Sequence, residues 1–528
     1  MSIISFGFLA FCVLTVALYF IVPKKVQWVV LLAANTAFYL FSGPKYILFI
    51  VLTSLATFFS GIALDRINVS SAAAVKACSD SAEKKIIKAA ALKKKKLICT
   101  LATILGMGIW IVLKYGNMFI DTFNSAVALF GGDLNVSTMS IILPLGISFY
   151  TFHAVGYMVD VYRGKYPAEK NFFRYFTFVS FFPHIIQGPF SRYDGLGKSI
   201  FEQHSFSYDR LCRGCARILW GVFKKAVVAD KLGIAVNTIT DDYMSYSGTH
   251  LVFALLLYSF RIYADFSGYM DIMCGICDIL GISLDENFNQ PFFARSTEEF
   301  WRRWHITLGH WFRDYVFYPI SMSKTAQKMG KSARKKWGAK MGKLLPGYFA
   351  LIFVWTATGM WHGSSWTYLI WGWMSLFIII FSTHMEDVYK KTKAFLHIKD
   401  TNFAWILFSI IRTYVLLSVI RVFAIANSLP MAGRMLYYSV TRFSFSAFKQ
   451  PLGLFAGMNN KLEILFAVIG VLAMLTVDVL KETNKWEPVK QKCPMLLRNV
   501  VYTLLICMIF LVAGGNNDLI GGFMYANF

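Results

Sequence analysis

Two histidines, His305 and His362, are the side chains best suited to chemistry, because both lie among tryptophans in apolar surroundings. His305 closes Glu299-Phe300-Trp301-Arg302-Arg303-Trp304-His305, and His362 lies in Met360-Trp361-His362-Gly363. Imidazole has the ordinary pKa nearest neutrality, so it can take a proton from a hydroxyl and return it. Gly363-Ser364-Ser365 follows His362, and small residues let backbone N–H groups or a reacting group come close. A buried, hydrogen-bonded structural histidine is the plain alternative for His362. For His305 the alternative is an interfacial histidine bridging helices. His310 falls on a different helical face from His305, a poor arrangement for joint metal ligation.

Arg261, Asp265 and Asp271 interrupt the apolar run Leu251–Leu280. Intramembrane charges face the bundle interior and are functional candidates, although an ion pair holding helices in register explains them equally well. Arg261 and Asp265 are spaced i,i+4 and can pair on one face. The Cys-x-x-Cys pairs Cys212/Cys215 and Cys274/Cys277 have zinc-site spacing, but the second lies in an apolar helical run where cysteines serve packing, so no metal is expected. No Gly-x-Ser-x-Gly elbow, phosphate loop or His-Glu-x-x-His occurs. A resident serine nucleophile therefore has little support.

The elements that must position these groups are membrane helices. The chain has 528 residues, 56% hydrophobic and 16% charged, against roughly 25% charged in soluble domains. Its mean hydropathy is +0.52. Apolar runs of about 20 residues recur throughout, which implies an all-α polytopic membrane protein of roughly eleven or more spans. The net charge of +24 lies largely in short loops, as membrane topology requires, and does not imply nucleic acid. Lys93–Lys96 ends one such loop, and the loop Lys324–Lys343 carries eight basic residues and no acidic one. Anionic lipid is the expected neighbour of these cations.

In order, Ile3–Val22 reads as an uncleaved first helix, with Pro23-Lys24-Lys25 on the cytoplasmic side. Val26–Phe41 and Tyr46–Leu64 follow, then a cytoplasmic amphipathic or mobile segment over Asp65–Lys96. Leu97–Leu113 leads to a less apolar stretch reaching Thr138, and Ile141–Val161 returns. Asn171–Phe190 is broken by Pro183 and Gly188-Pro189 and reads as re-entrant, a form tolerated only inside protein or beside a cavity. Asp285–Arg313 reads as interfacial amphipathic helices with tryptophans toward lipid and arginines toward water. From Pro346 a helix climbs to His362, roughly 24 Å at helical rise, toward the outer half of the membrane. Trp366–Ile380, Ala404–Ala426, Leu462–Leu480 and Val500–Ala513 complete the spans, leaving Gly514–Phe528 outside.

Glu286-Asn287-Phe288-Asn289-Gln290-Pro291, Phe300 through Leu308, and Phe312-Arg313-Asp314-Tyr315 resemble the signature of the membrane-bound O-acyltransferases. Trp361-His362-Gly363 and Trp371-Gly372 follow at that family's distance. Gly146–Phe152, Asp160–Gly164, Phe181-Phe182-Pro183, Gln187-Gly188-Pro189 and Asp265–Tyr269 resemble its bacterial branch, which O-acetylates alginate and other exopolysaccharides. The similarity covers about Met1 to Trp373 and fades beyond Ala426.

The resemblance implies a bundle with re-entrant and interfacial helices around a central tunnel. It implies a core over residues 1–426, with further helices and an outer tail over 427–528. His362 falls on the family's hallmark histidine and His305 on its second recurrent histidine. Trp304, Trp361, Ser364, Asp265 and Arg302 are the expected substrate contacts. The implied activity is O-acyl transfer, acetyl first, from a cytoplasmic donor to an exported polysaccharide at the bacterial plasma membrane. No bound cofactor is expected. The donor is acetyl-CoA or an acyl carrier thioester, and an extracytoplasmic esterase-like protein is an expected partner. D-alanyl transfer to teichoic acid is the alternative within the family; a transporter or flippase using Arg261, Asp265 and Asp271 is the alternative outside it. A scaffold within an acylation complex is a third. The long basic insertion Ser321–Lys343 departs from the family's short Gly-Gly-Asn-Arg turn and marks the donor side.

Overall fold

Apolar segments in a bilayer have no water to bond their peptide groups, so each must close its own hydrogen bonds as a helix. The structure, a computed structural model, describes residues 4–140, 143–458 and 460–513. Among these, eight helices are long and apolar enough to cross a membrane: Pro44–Ala77, Ser81–Leu129, Gly248–Leu280, Lys324–His362, Trp366–His384, Phe403–Ile425, Lys461–Glu482 and Met495–Val512. Phe6–Ile21 is a shorter apolar helix, and Gln27–Ser42 and Ile147–Tyr162 are helices of 16 residues. The protein is an all-helical polytopic membrane protein. The expected outer tail Gly514–Phe528 lies outside the described residues, as do Ile141 and Ile142 at the start of one expected span.

The chain divides into two compact units. The first comprises Met1–Cys215 and Met273–Asp285, and the second Ala216–Ile272 and Glu286–Phe528. In the first, the segment expected to be amphipathic or mobile over Asp65–Lys96 belongs to two long helices. Ile47–Ala77 runs on through it, and Ser81–Leu129 starts within it and extends past the expected end at Leu113. Asp80 caps the second helix by accepting from the N–H groups of Ala82 and Glu83 at 3.0 and 3.2 Å. Lys95 ties the pair to the next helix, donating to Asn68 Oδ1 at 2.7 Å and to the Tyr162 carbonyl at 2.9 Å.

Asn171–Phe190 forms two short helices, Phe172–Val179 and Phe182–Ile185, and every residue from Tyr175 to Phe190 is buried. The buried Asn35 amide bridges the break between them, donating to the Thr177 carbonyl at 3.1 Å and accepting from the Phe182 N–H at 3.0 Å. Broken backbone thus lies inside protein, as the sequence requires, with the break itself bridged by Asn35. The helices bearing Cys212/Cys215 and Cys274/Cys277 approach at Gly214, where an added Cβ would meet the Gly275 carbonyl at 2.5 Å. All four cysteines are free thiols, the first pair exposed and the second buried.

In the second unit the basic segment expected as a loop over Lys324–Lys343 is helical. Ser323 caps it by accepting from the Ala326 N–H at 3.2 Å, and the helix folds back at Gly338, whose φ of 85° lies in the left-handed region. The two arms pack through glycines: a Cβ on Gly330 would meet Pro346 at 2.8 Å and the Gly342 carbonyl at 2.9 Å. The lysines therefore decorate a helical hairpin at the foot of the helix that climbs to His362.

Candidate active site

His362 is the last residue of the helix Lys324–His362 and is 8% exposed. The next helix, Trp366–His384, crosses closely because both contribute glycines. A Cβ on Gly372 would meet the Trp355 carbonyl at 2.5 Å, and one on Gly359 would meet the Tyr368 carbonyl at 2.7 Å. At Gly363 the Tyr368 ring occupies the place of a side chain. Trp-His-Gly is thus dictated locally: glycine lets the chain turn tightly over Tyr368 and leaves the imidazole at the helix end. The His362 ring meets Trp361 and Trp371 edge to face, each at 4.8 Å between centroids.

His305 sits in the hinge between the helices Thr297–Arg303 and Ile306–Phe312, with φ 48° and ψ 52°. Holding a non-glycine residue there costs energy, and the surroundings fix it. Phe288 and Trp304 form an antiparallel bridge, and the Ile306 N–H donates to the Asn287 carbonyl at 3.1 Å. The fully buried Asn287 side chain completes the clamp. Its Oδ1 accepts from Thr307 Oγ1 at 2.6 Å and from the Thr307 N–H at 3.2 Å, and faces His305 Nδ1 at 3.4 Å. His305 then packs edge to face on Phe266 at 4.8 Å and Trp361 at 5.5 Å. Burial, with a smaller push from the His362 imidazole, holds its pKa well below the usual 6.5. His305 is therefore held in its neutral form near neutral pH.

The two histidines flagged from sequence are thus brought together around Trp361, which is 2% exposed. Trp304 is also buried, stacked on Phe300 at 5.4 Å. This corrects the expectation that the tryptophans of Asp285–Arg313 turn to lipid. Trp301 packs against Trp355 at 5.0 Å and Trp371 at 5.8 Å on facing helices, and Trp311, 8% exposed, packs on Phe312 and Tyr315 beside it. Arg302 and Arg313 do turn outward. Arg302 pairs with Glu298 at 2.7 Å on the exposed face, away from the buried rings. Ser364 is exposed, and Ser365 caps the following helix by accepting from the Thr367 N–H at 3.3 Å.

Asp265 is buried and pairs with Lys225 at 2.8 Å, whose ammonium also holds Asp230 at 2.8 Å. The pairing available to it at i,i+4 is not the one adopted: Arg261 reaches Asn237 Oδ1 at 2.6 Å instead. Lys225 wins because the π-helical turn Lys224–Ala229 aims its buried side chain at Asp265. Asp271 pairs with Lys224 at 2.6 Å and Arg217 at 3.0 Å, and Arg217 also holds Glu286 at 2.6 Å. Asp265 touches the histidine cluster through its neighbour Phe266. Sequence reasoning missed Lys224 and Lys225, although two lysines ending an apolar run are a legible signal. It also missed Asn287, Trp301 and Trp371 as site residues.

Residues 167–333 match the family model described as MBOAT, membrane-bound O-acyltransferase family. The chain is 35% identical over 297 residues to the probable alginate O-acetylase of Azotobacter vinelandii, covering 56% of this chain and 55% of that protein. It is 30% identical over 304 residues to the peptidoglycan O-acetyltransferase of Helicobacter pylori, covering 53% and 54%. It is 33% identical over 236 residues to the teichoic acid D-alanyltransferase of Bacillus subtilis, covering 43% and 56%. The chain spans about half the length of these curated relatives. His305 lies inside the matched segment and His362 beyond it. Over residues 167–333, this polytopic membrane protein is thus similar to the membrane-bound O-acyltransferase family.

Proposed function

We propose that the protein is an O-acyltransferase of the bacterial cell membrane that moves an acyl group, acetyl first, from a cytoplasmic thioester to hydroxyls of an exported polysaccharide. The observation that carries this reading is the placement of His305 and His362 on one buried tryptophan. Apolar, water-poor surroundings keep a reactive thioester from hydrolysis and strengthen every hydrogen bond made there. In the reaction the acceptor oxygen attacks the acyl carbonyl carbon while His362 takes its proton. Collapse of the tetrahedral intermediate breaks the bond to sulfur, and the proton passes to the departing thiolate. His305, clamped by Asn287 and Thr307, keeps Trp361 and the pocket walls in place. Trp361 and Trp304 wall the site beside the substrate, and a tunnel joins it to both membrane faces.

The donor is acetyl-CoA or an acyl carrier thioester, met by the basic hairpin Lys324–Lys343, whose charges suit phosphates or an acidic carrier. An extracytoplasmic esterase-like protein completes delivery. The likeness to the teichoic acid enzyme favours D-alanyl transfer as the second reading. A transport path through Arg261, Asp265 and Asp271 gains less support, because both carboxylates are held by buried cations. Mass spectrometry of envelope polymers with and without the gene tests the proposal. Loss of O-acetyl groups is expected, loss of D-alanyl esters would favour the second reading, and an unchanged acylation pattern would contradict both.

A further inference from the structure

Acyl transfer needs two things at one place: a base for the hydroxyl proton and donors for the negative charge that builds on the carbonyl oxygen. The histidines address the first. Beyond Trp361, the ring of Trp371 lies 4.8 Å from that of His362, and Trp301 packs on Trp371 at 5.8 Å. The N–H groups of both are buried, and neither has a hydrogen-bond acceptor among the described residues. Trp371 is 6% exposed.

That combination is costly for a structural tryptophan. A buried N–H left without an acceptor costs about 1–3 kcal/mol, and buried indoles ordinarily find a partner. Phenylalanine would fill an apolar wall with no such cost. The neighbouring Trp373, by contrast, donates its N–H to Thr356 Oγ1 at 3.0 Å. The ring contacts and close helix crossings around Trp371 and Trp301 leave them little freedom to seek another acceptor. Trp371 lies one residue before Gly372, whose approach to the Trp355 carbonyl locks the helix pair. Trp301 is wedged by Trp355 at 5.0 Å and Phe300 at 5.1 Å.

We infer that the indole N–H groups of Trp301 and Trp371 form the oxyanion-stabilising pair of the acyl-transfer centre. The inference rests on the acyltransferase reading of the same site. As the acceptor oxygen bonds to the carbonyl carbon, the carbonyl π electrons move onto its oxygen, and the two N–H groups donate to that oxyanion. When the carbonyl re-forms, the carbon–sulfur bond breaks and the thiolate leaves with the proton carried by His362. The indoles neither gain nor lose a proton. Fixed donors need no reorganisation as charge develops, so they act on the transition state more than on bound substrate.

The test replaces each tryptophan with benzothienylalanine, which keeps the bicyclic shape but carries sulfur where indole has N–H. Phenylalanine variants serve as a second series. Purified protein in lipid nanodiscs is assayed with radiolabelled acetyl-CoA and the envelope polysaccharide of the producing cell. The expected result is a fall in kcat of about 10²-fold for each sulfur analogue, with KM unchanged and the thermal transition raised, because the unsatisfied buried N–H is gone. Full activity in the sulfur analogues, whether or not the phenylalanine variants are impaired, would overturn the inference and leave the tryptophans as packing. A kcat loss accompanied by an equal loss of thermal stability would overturn it too. Absence of transfer by the wild-type protein, with acetyl-CoA or with a D-alanyl carrier thioester, would instead overturn the acyltransferase reading beneath it.

Discussion

His305 and His362 pack edge to face on the same indole: Trp361 meets the first ring at 5.5 Å and the second at 4.8 Å. They are separated by 57 positions in the sequence and come from unlike elements, a strained hinge and a helix end. Shared packing on Trp361 makes the position of each sensitive to the other.

The Asn287 clamp gives the first prediction. Asn287→Leu removes the acceptor for two Thr307 donors and the partner of His305 Nδ1. Stability should fall by about 1–3 kcal/mol, with a drop in kcat larger than any change in KM. Thermal denaturation and steady-state kinetics on the purified variant check both.

The helix crossing beside His362 gives the second. Gly372→Ala sets a methyl against the Trp355 carbonyl, a backbone atom that cannot swing aside. A loss of about 1–3 kcal/mol is expected, together with reduced activity as the His362 end of the crossing splays. Gly433→Ala, inside the helix Leu429–Thr441 with open space around it, should instead raise the thermal transition slightly.

A third prediction concerns pH. Burial holds the His305 pKa well below 6.5, so between that depressed value and 6.5 the unfolded chain binds a proton that the folded one refuses. The His305 contribution to stability is therefore complete above about pH 6.5 and declines as pH falls below it. His305→Gln should flatten this decline. Thermal transitions measured from about pH 7.5 down to pH 5 would show it.

The Lys225–Asp265 pair supports a fourth. Asp265→Leu removes one of the two carboxylates on a buried ammonium, leaving Asp230 at 2.8 Å, and should destabilise by about 1–3 kcal/mol. Adding Lys225→Met and Asp230→Asn, which takes the remaining charges out together, should recover much of that loss. If Asp265 also contacts substrate, the triple variant will regain stability without regaining activity; if it only holds helices together, both will return.

How much of this was legible in the sequence depended on the physics behind each feature. The presence of helices followed from apolar runs that have only one way to satisfy their backbone, but not their ends, since Ile47–Ala77 and Ser81–Leu129 run well past those stretches. His305 and His362 stood out because both lie among tryptophans and fall on the two recurrent histidines of the resembled family; burial alone does not single them out, since His153 and His184 are buried as well. The buried course of Asn171–Phe190 followed from Pro183 and Gly188-Pro189. The facing of Trp301, Trp304 and Trp311 did not, since lipid and protein are equally apolar to a tryptophan and only the partner helices decide. Asp265 chose Lys225, forty positions away, over the i,i+4 Arg261 because a π-helical turn redirected that lysine. The Lys324–Lys343 hairpin was hidden by its charge, which suggested a loop, whereas Gly330, Gly338 and Gly342 carried the signal of a tight helical return.

The most direct measurement of the central claim is acyl transfer by purified His362→Ala beside the wild-type protein, with the thermal transition recorded for both. The account predicts that transfer falls by at least about 10²-fold while the thermal transition stays near that of the wild type. Transfer at the wild-type rate by a well-folded His362→Ala protein would contradict it.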